Sequence, residues 1–148
     1  MPIRRFDAAA AIRVRDKGRP ALPRPPFIIL VTGGREYDDR RRLFRTLDAL
    51  HSKYGFTRLV HGAARGADTL AGEWAKHAGV PATTYPADWS KGRGAGHIRN
   101  AEMLAASNPN LVVAFPGGRG TAGMVKLALR AGKEVLMVNI GDDDDHWD

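Results

Sequence analysis

Between Phe27 and Ile140, short apolar runs that favour strands alternate with segments of helical period. Two of the hand-overs from strand to helix are built on glycine, Val31-Thr32-Gly33-Gly34-Arg35 and Phe115-Pro116-Gly117-Gly118-Arg119-Gly120-Thr121. That alternation leaves few folds open. Phe27 to Thr32 is a continuous apolar run, as expected of a strand covered on both faces. Asp38 or Asp39 can cap a helix whose Leu43, Leu47, Leu50 and Tyr54 share one side and which ends near Gly55. Arg58 to His61 is the second strand, followed by a helix from about Asp68 to Ala78 closed by Gly79. Ala82 to Tyr85 is the third strand, and a long loop leads to a helix from about His97 to Ala106. Leu111 to Phe115, a helix over Thr121 to Ala131 ended by Gly132, and Glu134 to Ile140 complete the series. Five strands and four helices in alternation predict an α/β fold with a doubly wound, mostly parallel sheet, because parallel neighbours need crossover connections.

At 148 residues and 43% apolar, the chain has room for one domain with a real core. It has no cysteine, which removes disulfides, thiolate nucleophiles and Cys-ligated zinc. No apolar run approaches the roughly 20 residues that span a bilayer, so a cytoplasmic protein of bacterial or phage type is expected, with no membrane partner. The net charge of +7 is unevenly spread. Residues 1–26 hold seven basic against two acidic side chains and are rich in proline, so they read as a basic arm outside the domain. Residues 142–148 hold five aspartates and read as a solvated, disordered acidic tail rather than a metal site. The domain, residues 27–141, keeps an excess of positive charge suited to an anionic ligand such as a nucleotide or a nucleic acid.

In a doubly wound sheet, ligands bind outside the carboxyl ends of the strands, at a switch point in strand order. Four loops belong to that rim: Gly33 to Tyr37, Gly62 to Asp68, Ala87 to Gly96 and Pro116 to Thr121. Backbone amides at the start of the last helix, on Gly117, Gly118, Gly120 and Thr121, form a phosphate cradle, and the Thr121 hydroxyl adds a donor. Gly33, Gly34 and Arg35 line the neighbouring wall. At the mouth of the second strand, Gly62 is small, Arg65 can reach a phosphate or carboxylate, and Asp68 can cap the next helix. Trp89 can stack on a base or plug the core beneath its loop. Arg99 and Asn100 fall in the first turn of their helix, where a cation opposes the helix dipole and an anionic partner would explain it. Gly118-Arg119-Gly120-Thr121-Ala122-Gly123 fits the dinucleotide pattern GxGxxG, but too little chain follows it for a second half-fold, so hydride chemistry is set aside. His61, alone at a strand end, reads as structural. There is no GxxxxGK[ST] segment, no HExxH and no Gly-x-Ser-x-Gly elbow, which leaves ATPase, zinc-protease and serine-hydrolase readings without support.

Taken in order, VTGGREY, HGAARGAD, PADW, AGHIRN and FPGGRGT resemble the SLOG superfamily, and within it the YspA-like, cpYpsA-related branch, over about residues 27–140. That resemblance implies a Rossmann-like domain that binds nucleotides or nucleotide-derived ligands such as AMP, ADP-ribose or NAD, and that often forms homodimers. Relatives include the LOG-type phosphoribohydrolases and the DprA-type binders of single-stranded DNA. The helix motif M-H-E-R-K-A-x-M of the hydrolases lines up with Gly96 to Met103, so Arg99 matches their catalytic arginine. Their PGGxGTxEE lines up with Pro116 to Met124, where Gly123 and Met124 replace the two glutamates. Neither can steady an oxocarbenium-like centre or activate water. The resemblance therefore implies a binding or sensor module. The alternatives are a phosphoribohydrolase that uses Arg99 with a relocated acid (Asp68, Asp88 or Glu36) and a nucleic-acid binder that uses the arm and the Lys91/Arg93 loop.

Overall fold

The computed structural model describes residues 25–139. The basic arm, all but its last two residues, and the acidic tail lie outside them. The elements run β1 (Ile28–Thr32), α1 (Arg40–Tyr54), β2 (Arg58–His61), α2 (Ala67–Ala78), β3 (Ala82–Thr84), a 3-10 turn (Trp89–Gly94), α3 (Ala95–Ser107), β4 (Leu111–Ala114), α4 (Arg119–Arg130) and β5 (Glu134–Met137). The five strands form one sheet of order β3-β2-β1-β4-β5, with every pairing parallel. After β3 the chain crosses back to β4 on the far side of β1, so β1 and β4 flank the switch point.

Alternation along the strands sends residues to two cores. Ile29, Val31, Leu59, Leu111 and Val113 face α1 and α2, where Leu43 and Leu47 sit one turn apart beside Ala71 and Trp74. Leu30, Val60 and Val112 face the other way, onto Met103, Leu104, Met124 and Ala128 of α3 and α4. Trp74 is fully buried, and its indole N–H finds the Asp48 carboxylate at 2.8 Å, which ties α2 to α1.

Both ends of α1 and the close of α2 carry their expected signals. Asp39 accepts from the Arg42 amide at 3.1 Å to start α1, and Gly55, at φ 72°, closes it in the left-handed conformation. Gly79 closes α2 in the same way, with φ 74°. Several boundaries differ from the sequence expectation: α4 starts at Arg119, two residues before Thr121, and β5 ends at Met137 rather than running on toward Ile140, which lies outside the described residues. α3 begins at Ala95, two residues before His97, because the long glycine-rich loop is itself a 3-10 turn that kinks at Gly92 (φ 84°) and runs straight into the helix. Arg99 and Asn100 therefore lie in the second turn, beyond the strongest part of the helix dipole, and tertiary contacts have to account for their placement.

Candidate functional site

Beside the switch point, two glycine turns are welded together. The Gly34 amide donates to the Pro116 carbonyl at 2.9 Å, and a Cβ on Gly34 would stand 3.0 Å from the Gly117 Cα. On Gly33 a Cβ would stand 2.5 Å from the Ala67 Cβ and 3.0 Å from that of Phe115. These three glycines permit close approach of chain to chain. The Thr121 hydroxyl is folded beneath this contact, against Gly117, and its residue is buried. Gly118 and Gly120 are different, since a Cβ on either would meet nothing within 4 Å, and both are exposed, as Gly117 is. The start of α4 has Gly118 at its N-cap, no side-chain cap and no acidic residue in its first turn. Its amides remain an anion-seeking feature of the rim.

A cavity of about 450 Å³ opens next to this weld, toward the β2 and β3 side. It is lined by Arg35, Gly62, Ala63, Ala64, Arg65, Pro86, Ala87, Trp89 and Arg99. Its lining thus contains three guanidinium groups and no carboxylate. Arg99 forms the back wall. Its Nη1 donates to the Gly62 carbonyl at 2.5 Å, and its Nε donates to the Asn100 side-chain oxygen at 2.9 Å. Asn100 in turn donates from Nδ2 to the Gly120 carbonyl at 3.2 Å, so one short chain of hydrogen bonds links the cavity to the exposed glycine turn. A Cβ on Gly62 would stand 2.7 Å from the Arg99 Cζ, so glycine there lets the guanidinium lie against the main chain. Burial lowers the Arg99 pKa, the neighbouring Asp68 opposes that shift, and the group stays charged at neutral pH.

Asp68 does not cap α2 as expected. Gly66 occupies the N-cap position, and no side chain bonds to the helix start. The buried Asp68 carboxylate instead accepts from the Gly62 and Ala64 amides, at 3.1 and 3.2 Å, and so folds the loop that forms the cavity wall. Loss of hydration raises its pKa to about 6, and the Ala64 amide, Arg99, the Gly62 amide and Arg35 pull the other way. Because the folded-state value lies above the unfolded one, the stability tied to this group is complete below pH 3.8 and is lost as pH rises through about 6. His61 has the opposite sign. Burial lowers its pKa, so its contribution is lost as pH falls below 6.5. Asp68→Asn should therefore remove a stability loss of about 3 kcal/mol at most between pH 4 and 7. The difference between wild-type and variant urea midpoints across that range measures it, and parallel profiles would contradict it.

Five predicted residues (Arg35, Gly62, Arg65, Trp89 and Arg99) meet in the cavity lining. Arg65 is paired with Glu36 at 2.6 Å, both exposed. Trp89 does not plug the core, being 56% exposed. Gly33, Gly34, Asp68, Asn100 and the Gly117–Thr121 turn lie outside the lining. Sequence reasoning placed Ala63, Ala64 and Ala87 on rim loops and Pro86 in the PADW motif without naming any of them as wall; their membership of the HGAARGAD and PADW motifs was the signal. Of the three acids considered for a relocated hydrolytic role, Glu36 is held by Arg65, Asp88 accepts from the Ser90 amide and hydroxyl at 3.1 and 2.5 Å, and Asp68 sits behind the loop. None lines the cavity. Among the described residues no cluster of three or more metal-ligating side chains occurs, and no helix is long and apolar enough to cross a membrane.

Comparison with known proteins agrees with this architecture. A molybdenum cofactor binding protein from the phototrophic bacterium Rippkaea orientalis shares the fold, with a TM-score of 0.59 and 24% identity over 83% of this chain and 82% of that one. The Gene 61 protein of Mycobacterium phage D29 is 40% identical over 124 residues, 77% of this chain and 96% of the phage protein. The glutathione-regulated potassium-efflux system protein KefC of Klebsiella pneumoniae is 32% identical over 118 residues, 74% of this chain but 18% of KefC. The model of the YspA, cpYpsA-related SLOG family matches residues 27–92, from β1 through the turn that carries Trp89. With that match, and with a relative of 40% identity covered almost end to end, the chain belongs to the YspA, cpYpsA-related SLOG family.

Proposed function

We propose that this protein binds a nucleotide or nucleotide-derived ligand at the carboxyl rim of its sheet and acts as a binding or sensor module. The observation that carries the reading is the cavity of about 450 Å³ whose lining holds Arg35, Arg65 and Arg99 without a carboxylate. Its volume falls within the roughly 300–1,000 Å³ typical of small-molecule sites. Arg99 pairs with a charged oxygen of the ligand, and the exposed amides of Gly118 and Gly120, linked to Arg99 through Asn100, take a phosphate. The molybdenum cofactor binding protein that shares this fold supports reading the rim as a small-ligand site.

Isothermal titration with AMP, ADP-ribose and NAD tests the reading. Binding to at least one is expected, and no heat with any of them at millimolar concentration overturns it. Arg99→Met should weaken that binding by about 10- to 100-fold, the loss of a hydrogen bond to a charged group. Undiminished affinity in a folded Arg99→Met protein would place the anion elsewhere.

A further inference from the structure

We infer that Trp89 and Arg35 form a stacking subsite at the mouth of this cavity for a planar aromatic ring, so that the ligand carries both an anionic group and an aromatic heterocycle. The inference rests on the nucleotide reading above and adds which end of the molecule lies at the mouth. Two tryptophans fall among the described residues, and they are used in opposite ways. Trp74 is sealed in the core with its N–H bonded to Asp48, whereas Trp89 stands 56% exposed on the cavity lining. An indole left in water forgoes the stabilisation that burial would supply, which marks the position as one not spent on packing.

The ring is held rather than loose. Asp88 accepts from the Ser90 amide at 3.1 Å and the Ser90 hydroxyl at 2.5 Å, fixing the start of the turn that carries Trp89. The far edge of the indole lies 3.7 Å from where a Cβ on Gly96 would stand, in the first turn of α3. The Arg35 guanidinium lies over the ring, 4.9 Å from its centroid. That planar, delocalised cation occupies the face where a heterocycle would stack. Arg35 is exposed, so an incoming ring can displace it, and the freed guanidinium can turn to the ligand's anion. Apart from Trp89 and the three arginines, the rest of the lining is Gly62, Ala63, Ala64, Pro86 and Ala87, none of which carries a long side chain.

The test is isothermal titration of AMP against ribose 5-phosphate, which lacks the ring, on wild-type, Trp89→Leu and Trp89→Phe proteins. In the wild type AMP should bind at least roughly tenfold more tightly, the size of a base-on-aromatic stack. In Trp89→Leu that preference should collapse to about twofold or less while ribose 5-phosphate keeps its affinity, and Trp89→Phe should restore most of it. A preference that survives Trp89→Leu, or equal binding of the two ligands by the wild type, overturns the subsite and leaves anion binding standing. Failure of both ligands to bind wild type overturns the subsite, and silence from ADP-ribose and NAD as well overturns the nucleotide reading.

Discussion

Gly66→Ala should destabilise the protein by about 4 kcal/mol, which is a large share of the 5–15 kcal/mol that holds a domain of this size. Gly66 sits at φ 77°, ψ −126°, a backbone conformation that side chains other than hydrogen rarely adopt. The space is closed too. A Cβ there would overlap the Gly34 carbonyl oxygen and stand 2.6 Å from both the carbonyl carbon and the oxygen of Arg35. These are main-chain atoms that no rotamer change can move aside. The Gly34 oxygen also accepts from the Tyr37 amide at 3.2 Å and the Ala67 amide at 3.1 Å, so pushing it away loosens the start of α2 and the turn after β1 together. Gly79→Ala is the control, because its φ is 74° but a Cβ meets nothing within 4 Å. It should cost only about 1–2 kcal/mol, the left-handed penalty by itself. Gly79 lies in the ordinary left-handed region, with ψ 25° against −126° at Gly66, so urea midpoints of the two variants read the combined cost of the rarer conformation and the contact with Gly34 and Arg35, and equal losses would contradict it.

Much of the fold was legible in the sequence because its signals are local. The apolar run of β1, the Leu43/Leu47 spacing of α1 and the closing glycines at Gly55 and Gly79 each report on a few neighbouring residues. The candidate site was legible at its chemically marked positions and at Gly62. Arg35, Arg65, Trp89 and Arg99 were visible as residues with charge or a ring, and the topology delivers them to one rim. What glycine does there could not be read locally. Gly34 and Gly117 look like phosphate-binding turns, yet they press on each other across more than 80 positions of chain, a contact that exists only once β1 and β4 have paired. Asp68 likewise reads as a helix cap. It becomes a buried acceptor because the Gly62–Ala64 loop wraps onto it, and Ala63, Ala64, Pro86 and Ala87 are wall because they are small, not because they are reactive.

Met124→Glu should destabilise the protein by about 4–5 kcal/mol, whereas Gly123→Glu should leave it folded and as stable as the wild type within about 1 kcal/mol. These positions correspond to the two glutamates of the PGGxGTxEE pattern, and the fold treats them oppositely. Met124 is fully buried among Leu30, Val60, Met103, Leu104, Val112 and Ala128, on the face of α4 that packs against the sheet. A glutamate there forfeits the apolar contacts and must either bury a charge with no partner in that cluster or hold a proton against its normal titration. Gly123 has open space where its Cβ would stand, and its helix has no acidic residue in the first turn. Position 123, like Arg99 in α3, falls in the second turn of its helix, so the expected tolerance rests on that open space and on replacing glycine inside a helix, which relieves a backbone entropy cost. Thermal melts of the two variants decide the matter, and a stable Met124→Glu protein would mean that α4 can rotate or shift on the sheet. If it cannot, the second glutamate is excluded by packing, and position 123 is the one of the two where this α4 register leaves room for a carboxylate.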